Sequence, residues 1–313
     1  MGVVRQVDWL ARLVLAGFLV TASAGPVVAG AKVVVSIKPV HSLVAGVMAG
    51  IGAPHLIVEG SASPHAYAMK PSDARALQEA DVVFWVGPLL ETFLAKALVQ
   101  LPETTRVVEL MSREGVVRHA VRTGTDWSNG HNGDHEHRHE AVDPHIWLDV
   151  ENAKAIIAMA ASELAEADPA NTARYRANAV AVRERLAVLE DEIAAQLRPV
   201  QDRPFLVFHD AFQYFEKRFG LNAVGAVSLG GGRAPGARHV RALRQRIEKQ
   251  GIVCLFTEPQ FEPRIARVIA EGTGVRTAVL DPVGAGLETG MALYFKLMRR
   301  NATALAECLG GGG

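Results

Sequence analysis

The sequence predicts an α/β protein in which a long, rigid helix joins two parallel-sheet lobes. Two observations predict this arrangement. In both halves of the chain, short β-branched runs alternate with amphipathic stretches, as they do in successive βαβ units. Between the halves, residues 170–197 are rich in Ala, Arg, Glu and Leu and contain no Gly or Pro. Such a stretch favours one uninterrupted helix.

The predicted strands of the first half are short and apolar; they are 33–37, 55–58, 82–86 and 106–109. Between them we expect helices at 39–49, from Ser72, and from Leu89. Ser72 is a candidate N-cap because Asp73 would lie in the first helical turn.

The second half repeats the pattern after two helices at 150–167 and 170–197. Its predicted strands are 205–209, 221–227, 253–257 and 276–280, and a last helix covers 289–309. Because the strands alternate with helices, each half should form a parallel sheet.

The N-terminus has the features of a signal peptide. Arg5 and Arg12 are positive, residues 13–22 form a short apolar core, and small residues suited to cleavage lie near position 30. A retained anchor is the alternative, although the apolar run is short for a bilayer.

We therefore divide the chain into four segments. They are a signal peptide at 1–31, an N-terminal lobe at 32–168, a linking helix at 169–199 and a C-terminal lobe at 200–313.

The composition argues against several functions. Lys and Arg together number 33, as do Asp and Glu, so no broad basic field favours nucleic acid. The chain has no His-Glu-x-x-His and no Gly-x-Ser-x-Gly motif, and no Gly-Lys-Ser/Thr follows the glycines at 230–232. The usual motifs of zinc proteases, serine hydrolases and P-loop enzymes are therefore missing.

A polar segment at about 112–142 interrupts the alternation of strands and helices. Its histidines lie among Gly, Asp and Glu; they are His131, His135, His137 and His139. We expect a mobile surface loop that captures divalent metal weakly. A solvated polar linker is the alternative.

Four residues lie where predicted strands end or helices begin: His65, His145, His209 and Asp281. In open α/β sheets, ligands bind beyond the carboxyl ends of the strands, so all four side chains could face one crevice. Three imidazoles and one carboxylate suit tetrahedral zinc, whereas more carboxylates would favour manganese. Each histidine taken alone is more often a surface or core residue without a metal.

Other polar residues receive supporting roles. Asp143, Asp149 and Asp210 lie near the histidines in sequence, and one or more could orient an imidazole. Glu258 could serve as a base, although we favour a hydrogen-bonding role in the crevice wall. His41 is expected to orient a ligand or start a helix; we assign no ligand role to His55, His119 and His239.

The chain has two cysteines, Cys254 and Cys308. In an oxidising compartment a disulfide could tie the last helix to the second sheet. Two free buried thiols are the alternative, because the sequence does not give their separation.

Several motifs together resemble the zinc-specific substrate-binding proteins of bacterial ABC importers, within the zinc/manganese group of solute-binding proteins. The resemblance covers about 33–308. The motifs that carry it are Ser36-Ile37-Lys38-Pro39, Ser63-Pro64-His65, Lys70-Pro71-Ser72-Asp73, residues 81–87, Asp143-Pro144-His145-Ile146-Trp147-Leu148-Asp149, Phe208-His209-Asp210-Ala211-Phe212, Glu258-Pro259-Gln260-Phe261 and Leu280-Asp281-Pro282.

The resemblance implies zinc ligands at His65, His145 and His209, with Asp281 or water as the fourth. Manganese members have a carboxylate where His209 stands, and the glutamate that some relatives carry before the first histidine is replaced here by Pro64. The acidic histidine-rich loop is also typical of zinc members. A disulfide between Cys254 and Cys308 matches one in similar zinc binders.

The resemblance further implies a periplasmic receptor, not an enzyme, that binds Zn²⁺ and delivers it to an ABC transporter permease. We expect a monomer that binds no nucleic acid. The alternatives are a manganese-binding or adhesive protein of similar fold and a secreted zinc hydrolase.

Overall fold

A computed structural model describes residues 2, 30–127, 141–228, 236–262 and 264–311. Most of the expected signal peptide lies outside these residues, as do His131, His135, His137 and His139. None of the described helices combines the length and the apolar character that a membrane span requires.

The first half forms a four-stranded parallel sheet of β1 (Val33–Ile37), β2 (His55–Val58), β3 (Val82–Trp85) and β4 (Arg106–Glu109), in the order β2-β1-β3-β4. Helices α1 (Lys38–Val47), α2 (Pro71–Gln78) and α3 (Thr92–Leu98) connect the strands. Every residue of β1 and β3 is buried, as the continuous apolar runs predict for strands that helices cover on both faces.

Two helices follow, α4 (Val150–Ala167) and α5 (Thr172–Leu197). The second half then repeats the topology with β5 (Phe205–Val207), α6 (Gln213–Phe219), β6 (Ala223–Ala226), α7 (Ala237–Gln250), β7 (Cys254–Thr257), α8 (Arg264–Ala270), β8 (Arg276–Val279) and α9 (Leu293–Gly310). Its strand order, β6-β5-β7-β8, corresponds to that of the first sheet. The predicted fold class of two parallel α/β lobes is confirmed.

The long helix α5 contacts helices of both lobes. Its buried residues recur every three or four positions and form one stripe: Tyr175, Ala179, Val182, Leu186, Leu189, Ile193 and Leu197. This stripe packs against α4 and α1 from the first half and against α9 from the second. Because one helix supports both lobes, a wide hinge motion would have to break its packing.

Buried polar contacts also join the lobes. The Lys38 ammonium, at the start of α1, donates to the carbonyl oxygens of Gly284 (2.9 Å) and Leu287 (3.0 Å). The Trp147 indole donates to the Pro282 carbonyl oxygen at 2.7 Å, and the Tyr294 hydroxyl donates to the Trp147 carbonyl oxygen at 2.8 Å. These contacts join the two lobes, and buried apolar residues from both lobes also form one cluster.

The predicted cap of α2 is wrong by two residues. The helix begins at Pro71, whose fixed φ suits the first helical position, and Lys70 is its N-cap. The Asp73 carboxylate accepts a hydrogen bond from the Lys70 backbone N–H at 3.0 Å. Ser72 thus lies inside the helix.

The described part of the segment expected to be a mobile loop is anchored to both lobes. Ala120 pairs with Val142, and Asp126 pairs with Gly225 at the edge of β6. Between these pairings, the Arg122 guanidinium binds the carboxylates of Asp210 and Glu216. Up to Trp127, the segment expected to be a mobile surface loop is thus attached to its surroundings by these contacts.

A disulfide joins Cys254 in β7 to Cys308 in α9, with their Cα atoms 6.1 Å apart. The Arg276 guanidinium donates to the Cys308 carbonyl oxygen at 2.6 and 2.9 Å. The disulfide expected from the sequence is confirmed, and it attaches the last helix to the second sheet.

Replacing both cysteines by alanine should lower the free energy of unfolding by about 4 kcal/mol, because the bond closes a loop of 54 residues in the unfolded chain. Urea titration followed by circular dichroism measures this difference. Reducing the disulfide of the unaltered protein is the control and should give a similar loss. Equal midpoints for the oxidised protein and the double variant would contradict the prediction.

Candidate metal site

Three histidines from separate elements meet where the lobes face each other. His65 lies in a 3-10 turn, Pro64–Ala66, beyond the end of β2. His145 immediately precedes the 3-10 turn Ile146–Leu148, and His209 follows the end of β5. His145 is buried, His209 is half-buried and His65 is exposed. The cluster is thus closed on the protein side and open at His65.

The ring nitrogens of these histidines have the spacing of metal ligands. The Nε2 atom of His145 lies 3.4 Å from Nε2 of His65 and 3.4 Å from Nε2 of His209. One ligand atom from each residue can be chosen so that all three lie within 4.8 Å of one another. A tetrahedron with zinc–nitrogen bonds of about 2.0–2.1 Å has edges of about 3.3 Å. The two contacts therefore match two edges of such a tetrahedron.

Two buried carboxylates determine which nitrogen of each ring carries the proton. Asp143 Oδ1 lies 2.7 Å from His145 Nδ1, and Glu258 Oε1 lies 2.6 Å from His209 Nδ1. An ionised carboxylate only accepts hydrogen bonds, so each Nδ1 donates. In the neutral rings, the Nε2 lone pairs are then directed toward the cluster.

Burial and mutual repulsion keep two of the rings neutral. Although His65 as a residue is exposed, its ring faces those of His145 and His209. Desolvation of the rings, followed by the charge of the neighbouring histidines, lowers the pKa of His65 to about 3 and that of His145 to about 3. Burial also opposes a charge on His209, but the Glu258 carboxylate outweighs it and raises the pKa of His209. Neutral imidazole is the form that binds a metal ion.

Asp281 does not join the three histidines. The last strand ends at Val279, and the Asp281 carboxylate turns into the following loop. It accepts hydrogen bonds from the backbone N–H groups of Val283 (3.1 Å), Gly284 (2.9 Å) and Ala285 (2.6 Å). Within the described residues, no carboxylate belongs to the cluster.

Of the three acidic residues expected to orient an imidazole, Asp143 does so. Asp149 instead caps α4 by accepting from Glu151 N at 2.9 Å, and it pairs with Arg218. Asp210 pairs with Arg122. Glu258 has the hydrogen-bonding role favoured from the sequence.

The other described histidines lie outside the cluster. His41 Nε2 contacts the Pro54 carbonyl oxygen, and His239 Nε2 contacts that of Val227. His55 lies beside Asp73, and the His119 ring packs on Tyr214. His41, expected to orient a ligand or start a helix, lies inside α1 and contacts none of the three clustered rings.

Sequence reasoning assigned no site role to Gln260 and Phe261, which line the same pocket as the histidines. Phe261 meets the His209 ring edge-on, with centroids 5.4 Å apart. Their place in the motif Glu258-Pro259-Gln260-Phe261, which carries the family resemblance, is a sequence signal that could have indicated them.

Comparisons with known proteins identify the family of the chain. The family described as "Zinc-uptake complex component A periplasmic" matches residues 33–308. The high-affinity zinc uptake system protein ZnuA of Brucella abortus (strain 2308) is 43% identical over 328 residues, covering 96% of this chain and 97% of the relative. The protein of the same name from Yersinia pestis is 33% identical over 313 residues, covering 96% and 98%.

A solved structure shares the fold. A crystal structure of ZnuA has a TM-score of 0.77 and 25% identity, covering 90% of this chain and 99% of that one. The family match spans most of the chain, and the relatives are similar over nearly their whole length. The chain therefore belongs to the ZnuA family of periplasmic zinc-uptake components.

Proposed function

We propose that this protein is a periplasmic receptor that binds one zinc ion through His65, His145 and His209 and delivers it to the permease of an ABC importer. The convergence of three Nε2 atoms, with contacts of 3.4 Å, carries the proposal. The similarity to proteins named for high-affinity zinc uptake supports it. The family consists of solute-binding proteins of transport systems, so the chain is not an enzyme.

The donor set favours zinc over manganese. Imidazole nitrogen suits zinc, whereas manganese prefers carboxylate, carbonyl and water oxygens. The two carboxylates nearest the rings, those of Asp143 and Glu258, contact Nδ1 atoms on the side of the ring away from Nε2. They increase the basicity of the imidazoles without adding oxygen ligands.

A hydrolase would need a base that reaches the water it activates. Asp210 pairs with Arg122, and one oxygen of Glu258, Oε1, contacts the His209 ring and accepts from the His209 backbone N–H. The ion pair argues against Asp210 as a base, and membership of a family of solute-binding proteins argues against hydrolysis by Glu258.

Alanine at all three histidines should abolish binding of one zinc ion per chain, because no inward-facing nitrogen remains. Each single histidine-to-alanine variant should lose more zinc affinity than a variant of a residue that only orients a ligand. The latter kind of change typically costs roughly 10–100-fold in affinity. Metal analysis and competition with a chromophoric chelator measure both effects. His239→Ala, which changes a histidine outside the cluster, is the control; a triple variant that still holds one tight zinc ion would refute the site.

Manganese provides a second test of the same site. Titration of zinc-loaded protein with a large excess of Mn²⁺ should leave the zinc bound. Displacement of zinc at comparable concentrations would favour the manganese-binding alternative.

Glu258→Gln should weaken zinc binding by about 10–100-fold, because it removes the charge that orients the His209 ring and increases its basicity. Glu262→Gln makes the same chemical change at an exposed position nearby and should have no effect. Chelator competition at constant pH compares the two. Equal affinities for both variants would show that the Glu258 contact has no part in binding.

Release of the ion should involve the loop that carries His65, not separation of the lobes. His65 is the exposed ligand, while α5 packs against elements of both halves. Hydrogen exchange should therefore increase around 60–69 on zinc removal and stay unchanged in α5. Faster exchange along α5 in the zinc-free protein would indicate hinge opening instead.

A further inference from the structure

We infer that Gln260, held in place by Asp281, is a positioning residue for a water molecule that serves as the fourth ligand of the bound ion. This inference rests on the proposed function. It assigns Asp281, expected from the sequence to be a ligand, an indirect role through the neighbouring amide.

The three histidines leave one position of a tetrahedral ion to another ligand. Zinc takes four ligands, which in proteins are His, Cys, carboxylate or water. In the described ranges, the residues that could hold an ion together are the three histidines alone. The Asp281 carboxylate accepts three hydrogen bonds from backbone N–H groups of its own loop and does not belong to this set. Of the ligand types that zinc takes in proteins, water therefore remains for the fourth position.

The orientation of the Gln260 amide is determined by Asp281. The Nε2 atom of Gln260 donates to Asp281 Oδ1 at 3.3 Å. Since a carboxylate accepts and does not donate, the amide nitrogen must face it, and the carbonyl oxygen must face away. The backbone N–H groups of residues 283–285 fix the Asp281 carboxylate by hydrogen bonds, and this carboxylate in turn orients the Gln260 amide.

The carbonyl oxygen of Gln260 is buried and accepts no hydrogen bond. Gln260 lines the same small pocket as His65, His145 and His209. A buried acceptor without a partner is costly and normally has one in the functional state. A proton donor within the pocket would supply that partner.

A second acceptor in the same pocket points to the same ligand. Glu258 is 4% exposed, and its Oε2 atom is also buried without a partner, while its Oε1 contacts the His209 ring. Two acceptors fit a ligand that has two protons to donate. Metal-bound water is such a ligand and is more acidic than bulk water. The same two oxygens would repel an anion such as chloride or azide.

Direct coordination by the Gln260 oxygen is less favourable. Neutral amide oxygens are typical ligands of calcium, whereas zinc selects imidazole, thiolate and carboxylate. The hydrogen bond to Asp281 also restrains the amide. The contacts therefore favour a hydrogen-bonding role for Gln260.

The test uses full-length protein loaded with cobalt(II) in place of zinc. In water enriched in ¹⁷O, the electron paramagnetic resonance lines of the unaltered protein should broaden, which shows that water binds the ion directly. Unbroadened lines would mean that a protein group fills the fourth position, and would overturn the inference.

Gln260→Met keeps the length of the side chain and removes its carbonyl group. Azide should change the visible spectrum of the cobalt-loaded variant at concentrations at least about tenfold below those needed for the unaltered protein, and zinc should dissociate about tenfold faster. Gln245→Met makes the same change on the exposed face of α7 and should match the unaltered protein.

Circular dichroism melting separates a folding defect from loss of positioning, and Gln260→Ala serves as a second variant if the methionine variant fails to fold. A Gln260 variant with normal azide sensitivity and normal zinc dissociation would overturn the role of Gln260. If the triple histidine variant also keeps its zinc, the proposed function fails as well; if it loses zinc, the inference about Gln260 fails alone.

Discussion

The site depends on two carboxylate–imidazole hydrogen bonds, those of Asp143 to His145 and of Glu258 to His209. In the neutral rings they place the protons on Nδ1 and direct the Nε2 lone pairs toward a common point. Lone pairs that face each other at 3.4 Å repel unless a proton or a cation lies between them. The pKa values of His65 and His145 are lowered, so a metal cation can bind their Nε2 atoms without displacing a proton from either ring.

The fold holds this arrangement because the site lies where strand order reverses in the second sheet. His209 follows β5 and Glu258 follows β7, and these strands are neighbours although they are not consecutive in the chain. Ligands of open α/β sheets bind at such places. The first lobe contributes His65 beyond β2, and His145 comes from the connection that precedes α4. Helix α5 and the contacts of Lys38 and Trp147 fix the position of one lobe relative to the other.

The sequence predicts the strands, α5 and the three clustered histidines well, since each depends on local patterns such as apolar runs and strand ends. It does not predict which acidic residue orients which ring. Asp143, Asp149 and Asp210 all lie within four residues of a histidine in the chain. Of the three, only Asp143 contacts a clustered ring, because the other two pair with arginines from distant segments. Nor does the sequence reveal the partners of Asp281, because its backbone contacts follow from the shape of the loop after β8.

Residues 120–127 are held in place by backbone hydrogen bonds and by an ion pair. Val121 N bonds the Ala141 carbonyl oxygen, and Trp127 N bonds that of Val224, so the chain is secured on both sides of the stretch 128–140. Arg122 adds an ion-pair anchor close to His209. We expect a change in the number of residues between these two attachment points to leave Val121, Trp127 and Arg122 in their places, and with them the surroundings of His209.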